Sequence, residues 1–380
     1  MKQQRIKASF IRGGTSKGVF FRAGDLPGDP AQRDAILLRA LGSPDPYQRQ
    51  LDGLGGGLSS VSKAVVIGRS ARDDADIDYT FAQVSVDEPL VDYAGTCGNL
   101  SAATGPFAID ERLIEAQDGE VVVRVFNTNT SKIFHARFDV ADGESVVEGE
   151  QCIPGVSHAG GRVALEFLSP GGSMTGALLP TGNVADDIKL ADGEVIRVSL
   201  IDATNPIVMV NAADVGISAT ELPDALEAQS GWLARVEQIR LAAGVAMGLG
   251  ETTADVPQAV PKIVLVAAPQ DFRDIQGEQV VANQVDLCAR AISMGRVHRA
   301  LPLTLSMCLA TACRIEGSVA ASVTRPLAEG ADVRIGNPSG VIAAGADVAR
   351  GDRGWEVARC RVIRTQRRLM EGSVLVPAAT

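Results

Sequence analysis

The sequence predicts an α+β fold in which one arrangement of short strands and a small-residue helix is built twice. Three observations predict it. Four segments recur in one order in the two halves of the chain, the mark of an internal duplication. Forty glycines against 4% aromatic residues fit tight turns and close backbone contacts, as in short strands alternating with small-residue helices. A chain of 380 residues, 46% apolar and 22% charged, is long enough for two globular domains and nowhere polar enough for long disorder. The expected domains are residues 1–187 and 188–380, with the last strand a candidate to return to the first.

The first half opens with strand-like alternation from Arg5 to Ile11, a polar turn, Arg12-Gly13-Gly14-Thr15-Ser16-Lys17-Gly18, and a second strand at Val19-Phe20-Phe21. The turn lacks the GxxxxGK[ST] order of a phosphate loop and no helical pattern follows, so it reads as a hairpin. Asp34 to Leu41 has apolar residues at helical spacing, closed by Pro44-Asp45-Pro46. The glycine- and serine-rich loop from Gly53 to Ser62 runs through Lys63 into the apolar strand Ala64-Val65-Val66-Ile67. Phe81 to Val86 is strand-like, and Gly95 and Gly98 then bracket Cys97 where a helix is expected to begin. A strand at Glu120–Phe126 and a turn at Asn127–Ser131 follow, and Gly155 to Val184, rich in Gly, Ser and Pro, reads as an elaborated connection.

The second half repeats this order. Ile196–Ile201 lies over Ile6–Ile11, and Val260-Pro261-Lys262-Ile263 over Val61-Ser62-Lys63-Ala64. Leu222 to Leu249 supplies helical periodicity, and Leu303 to Ile315 takes the place of the helix behind Cys97. Val333–Ser339 echoes Val123–Asn129. One difference bears on chemistry: the loop before the second helix, from Gly295 to Pro302, holds no cysteine, and Cys308 and Cys313 lie inside an apolar helix as core residues. A duplicated protein of this kind is expected to place its site in the cleft between the halves.

Composition excludes several functions. A formal net charge of −10 argues against nucleic acid and anionic membrane as partners, since both require an electropositive face. Neither a signal peptide nor a run near ~20 apolar residues is present, so the expectation is a cytoplasmic protein. Six scattered cysteines without CxxC pairs point to neither a disulfide framework nor a zinc site. A homodimer is left open.

The chemistry centres on Cys97 and Lys63. The first N–H groups of a helix have no internal acceptor and favour a thiolate or a bound carboxylate in front of them. A thiol at that place is tuned for catalysis in some proteins, and in others it is a small buried hydrophobe. Lys63, where a polar loop enters an apolar strand, is placed for partial desolvation and work as a base; the alternative is a lysine that snorkels to solvent.

At Gly13-Gly14-Thr15-Ser16-Lys17-Gly18, Ser62-Lys63 and Cys97-Gly98-Asn99 the sequence resembles the PrpF family. The likeness continues through Gly105-Pro106-Phe107-Ala108, Leu179–Asn183, Ser293–His298 and Gly336–Gly340, and covers essentially the whole chain. Members of that family include 2-methylaconitate cis-trans isomerase, 4-oxalomesaconate tautomerase, methylitaconate isomerase and aconitate isomerase. The resemblance implies the diaminopimelate epimerase-like fold: two pseudo-repeated domains, each a sheet curled around a central helix. It also implies a 1,3-allylic proton shift or cis-trans change in a small unsaturated polycarboxylate, with no metal or organic cofactor. Lys63 and Cys97 fall on the acid–base pair. Thr15, Ser16, Lys17, Ser62, Thr96, Gly98, Asn99, His298 and Ser339 fall on or beside the substrate-binding motifs; for His298, bracing the second helix is an equal reading. Thr96 stands where the family commonly has Asn, and Asn337 where it has His. The rival functions are an epimerase with His298 as its second acid–base group, and a non-catalytic accessory of an aconitase-like dehydratase.

Overall fold

A computed structural model describes residues 3–352 and 354–377; the outer ends of the two expected domains lie outside these. The chain divides into two compact units, Met1–Glu166 with Ile363–Thr380, and Phe167–Val362.

In the first unit, β1 (Gln3–Gly13) and β2 (Ser16–Arg22) form an antiparallel hairpin in which Gly13 pairs with Ser16. The glycine motif is therefore a tight turn at Gly14-Thr15. Helix α1 (Pro30–Leu41) starts a turn earlier than the apolar periodicity suggests. Asp29 caps it by accepting from the Ala31 N–H, Pro30 occupies the first turn, where its missing N–H costs nothing, and Gly42 closes it in the left-handed region.

β3 (Lys63–Arg69) runs parallel to β2, β4 (Ile77–Val84) antiparallel to β3, and the short β5 (Val91–Asp92) antiparallel to β4. After α2 (Gly98–Ser101) and α3 (Thr104–Asp110), β6 (Gly119–Asn127) pairs parallel with β4, and β7 (Lys132–Ala141) antiparallel with β6. The C-terminal strand Gln366–Pro377 adds antiparallel to β1. Helix α2 packs on β1 and β2 while α3 packs on β6 and β7, so the sheet curls around them, and residues 104–109 are all buried. A second cluster, with Phe21, Leu37, Leu41 and Val66, fills the space under α1.

The second unit repeats this order of strands. Val195–Asp202 and Pro206–Asn211 are antiparallel, Lys262–Ala267 joins in parallel, Leu287–Ser293 antiparallel, Val333–Asn337 parallel and Gly340–Gly351 antiparallel. The apolar helix Leu303–Ala312 is the central one. Each unit has the diaminopimelate epimerase-like pattern.

The duplication extends to side chains. In the first unit Arg124 grips Asp76 through its own N–H and guanidinium, 48 positions apart. In the second Arg334 grips Asp286 in the same way, again 48 apart. Asn127 and Asn337 both accept from the N–H two residues on, which closes each hairpin as an Asx turn.

Two expectations change. The division at 166/167 precedes the 187/188 boundary, because the glycine-rich loop 171–178 is bound to the second unit. Buried Asp202 accepts from Ser173, Met174 and Thr175 and its N–H donates to the Leu178 carbonyl. The helical stretch Leu222–Leu249 is two helices, Pro223–Glu227 and Trp232–Ala246, separated where Gly231 adopts φ +76°.

Candidate active site

Three chain segments of the first unit bring polar side chains together. The hairpin turn delivers Ser16, the first residue of β3 is Lys63, and Cys97 immediately precedes α2. Lys63 Nζ lies 3.3 Å from Cys97 Sγ and 3.4 Å from Ser16 Oγ, and Sγ lies 3.9 Å from the same hydroxyl. Cys97 and Ser16 are 6% and 4% exposed. The ammonium also stands 5.5 Å from the centre of the Phe81 ring, a cation–π distance. Among the described residues no carboxylate pairs with Lys63.

The position of Cys97 follows from local sequence. The small-residue run after it is interrupted at Ala102-Ala103, where the N–H groups bond three residues back, to Asn99 and Leu100. Pro106 explains the interruption: a continuous helix would need its missing N–H and would press its ring on the carbonyl four residues earlier. Cys97 is thereby left in extended backbone with no capping bond from its sulfur. Its carbonyl accepts from Ser101 Oγ and from Tyr79 O–H. Burial, and then the neighbouring sulfur, raise the Tyr79 pKa, so this phenol stays a neutral donor. Thr96 Oγ1 accepts from Asn127 Nδ2 at 2.6 Å, and its hydroxyl also hydrogen-bonds the Tyr79 side chain.

Asn99 connects the turn to the C-terminal segment. Its Nδ2 donates to Thr15 Oγ1 at 3.1 Å and its Oδ1 accepts from Arg364 Nε at 3.3 Å. The guanidinium can only donate, so Arg364 sets which way the amide faces. A Cβ on Gly14 would meet Asn99 Oδ1 at 2.3 Å, with φ at +51°; glycine is there for close approach. The N–H groups of Gly98 and Asn99, first in α2, have no acceptor within the helix.

Two other predicted residues of the first unit, Ser62 and Lys17, have partners of their own. Ser62 is sealed, donating to Val84 O and accepting from Gln50 Nε2; it holds the entry to β3 and has no free face for a ligand. Lys17 Nζ lies 5.5 Å from the Phe10 ring centre. His298 and Ser339 belong to the second unit. Ser339 Oγ donates to Arg299 O at 2.6 Å. The pKa of His298 is pushed down to about 4 by burial and then by Lys262, so at neutral pH it is an uncharged imidazole.

Sequence reasoning missed Gln50, Arg364 and Lys262. Gln50, 1% exposed, ties Ser43, Ser62 and Gly57 together; a polar residue in a polar loop carries no signal for that. Arg364 is buried, and burial pushes its pKa down to about 10. Lys262 starts its strand as Lys63 does in the repeat, and burial lowers its pKa; the alignment of the halves contained that signal. Burial raises the pKa of Cys308 and pushes that of Cys313 up to about 12, so both of these helix thiols stay protonated.

Among the described residues no cluster of His, Cys, Asp and Glu is arranged to hold a metal, and no helix is long and apolar enough to cross a membrane. The family model described as PrpF protein matches residues 3–377. A 3-methylitaconate isomerase from Eubacterium barkeri is 40% identical over 381 residues, 99% of this chain and 98% of its own. A 2-methyl-aconitate isomerase from Cupriavidus necator is 40% identical over 389 aligned positions, with 99% and 98% covered. The crystal structure of methylitaconate-delta-isomerase superposes with a TM-score of 0.91 at 40% identity, covering 100% of this chain and 99% of that one. With agreement in sequence and in fold over the full length, the chain is an isomerase and belongs to the PrpF family.

Proposed function

We propose that this isomerase moves a proton along the allylic unit of an unsaturated di- or tricarboxylate, of the methylitaconate or methylaconitate type, with Lys63 and Cys97 as the acid–base pair. The observation that carries the reading is the 3.3 Å approach of the ammonium and the sulfur. Two groups that touch cannot stand on opposite faces of one carbon, as an epimerase needs. They can stand over one face of a three-carbon unit, one at each end. One takes the proton from the sp³ carbon, charge spreads through the double bond into a carboxylate, and the other returns a proton at the far carbon. The N–H groups of Gly98 and Asn99 and the hydroxyls of Thr15 and Ser16 are fixed donors for the carboxylate that gathers the charge. The shift requires no redox partner or group carrier, and we place the enzyme in the cytoplasm.

Proton NMR in D₂O with methylitaconate, 2-methylaconitate, cis- and trans-aconitate and 4-oxalomesaconate tests this. Deuterium entering both ends of the allylic unit of one of these supports the shift and names the substrate. Absence of exchange and of product across the panel would remove it.

A further inference from the structure

Cys97 is followed by Gly98, which has no side chain to hold the peptide plane between them. That plane is held by its carbonyl instead. Cys97 O accepts from the Ser101 N–H at 3.0 Å, from Ser101 Oγ at 3.1 Å and from the Tyr79 O–H at 3.3 Å. The serine bonds come from α2 itself, whereas the phenol comes from β4 and ties the plane to the sheet. Tyr79 is fully buried, and Phe134 stands edge-on to its ring with centroids 6.1 Å apart.

The direction of each bond behind the phenol is forced. Asn127 Oδ1 accepts from the Asn129 and Thr130 N–H groups, which can only donate, so Nδ2 is the end that faces Thr96 Oγ1. That end is a donor too. The single Thr96 proton therefore goes to the Tyr79 oxygen, and the single Tyr79 proton to Cys97 O. The duplication supplies an internal comparison. Asp76, Arg124 and Asn127 stand against Asp286, Arg334 and Asn337 at one constant offset, and that offset puts Ala289 against Tyr79. In the second unit Asn337 Nδ2 donates to Gly340 O, inside its own hairpin. The phenol and the outward-turned amide thus belong to the unit that carries a thiol before its central helix.

We propose that Tyr79, fixed by Thr96 and Asn127, is a positioning residue that locks the Cys97–Gly98 peptide plane, holding the sulfur against Lys63 and aiming the Gly98 N–H at the substrate carboxylate. This rests on the reading of Lys63 and Cys97 as the acid–base pair. In a trans peptide the N–H points opposite to the carbonyl, so a carbonyl gripped by β4 leaves the Gly98 N–H facing away from that strand. A donor that stabilises developing charge acts on turnover more than on binding. By the same account Thr96 serves the cysteine turn.

The test uses the full-length variants Tyr79→Phe, Thr96→Val, Thr96→Ser and the double variant of the first two. Steady-state kinetics are read on whichever panel substrate is turned over, and alkylation of Cys97 by iodoacetamide at neutral pH is followed by peptide mass spectrometry. Tyr79→Phe is expected to lower kcat about tenfold with KM within about twofold of wild type. It should also slow alkylation about fivefold, as the sulfur drifts from the ammonium that favours its thiolate. Thr96→Val should repeat both losses and Thr96→Ser restore most of them, and the double variant should lose no more than Tyr79→Phe alone, since the chain acts as one unit. Unchanged kcat and alkylation in Tyr79→Phe and Thr96→Val overturn the proposal, as do additive losses or a raised KM at unchanged kcat. Should Tyr79→Phe fail to fold, Thr96→Val against Thr96→Ser decides by the same readouts. The two readings fail separately. Tyr79-dependent alkylation without deuterium exchange on any panel substrate keeps the positioning role and removes the isomerisation chemistry, whereas exchange with Tyr79-independent kcat and alkylation does the reverse.

Discussion

Arg364 Nε donates to Asn99 Oδ1 across 265 positions of sequence, and this bond ties the C-terminal segment to the residue two places after Cys97. The guanidinium is buried without a carboxylate partner among the described residues, and its pKa is pushed down to about 10. Such a burial is costly for stability and is explained by what it holds in place. Arg364→Met is expected to lower kcat/KM about tenfold, the worth of a charge-assisted hydrogen bond, while the melting temperature stays level or rises. A large drop in melting temperature with unchanged kinetics would assign Arg364 to folding alone.

Removing either member of the pair is expected to abolish most turnover. Cys97→Ser and Lys63→Ala should each reduce kcat by about 100-fold or more, the usual contribution of a positioned acid or base. Both side chains sit at the edge of their elements, and circular dichroism should show the fold intact. Wild-type rates in either variant would dismiss the assignment.

Gly14 carries a packing constraint that alanine cannot meet. The added Cβ would stand 2.3 Å from Asn99 Oδ1 at a φ of +51°, so either the turn or the amide must move. Urea unfolding of Gly14→Ala is expected to show a loss of about 1–3 kcal/mol, accompanied by weaker substrate binding as Thr15 loses its donor from Asn99. A neutral effect on both would mean that the turn relaxes freely.

His298 makes stability pH-dependent. Its folded pKa of about 4 lies below the unfolded value near 6.5, so the unfolded chain takes up the proton first as the pH falls. Its contribution is fully present above about pH 6.5 and is lost progressively down to about pH 4. Urea midpoints at about pH 7.5 and about pH 5 should therefore differ more in the wild type than in His298→Asn. Equal differences would show that this imidazole does not titrate in that window.

Much of this was legible in the chain before any coordinates. Residue period marked the strands from β1 to β4 because each buries one or both faces, and the turn at Gly14 was marked by glycine. The break inside the helix behind Cys97 was present in Pro106, yet it is easily passed over, since small residues around it all favour helix. The start of α1 was misplaced because the cap, Asp29-Pro30, precedes the first apolar residue. Ser62 looked like a ligand contact by its place in a motif, but its hydroxyl is spent on Gln50 and Val84.

By itself the sequence determined that one unit occurs twice, since the repeated segments, Val333–Ser339 over Val123–Asn129 among them, are written in residue order. It also determined which thiol stands outside a helix interior, because local backbone chemistry decides where a helix may begin. Only the tertiary structure decided that Ser16, Lys63 and Cys97 meet within one hydroxyl's reach, and that Arg364 and Gln50 support them. Those contacts depend on the curl of the sheet and on which side chains it seals from water, and separations of tens to hundreds of residues leave no periodic trace of either.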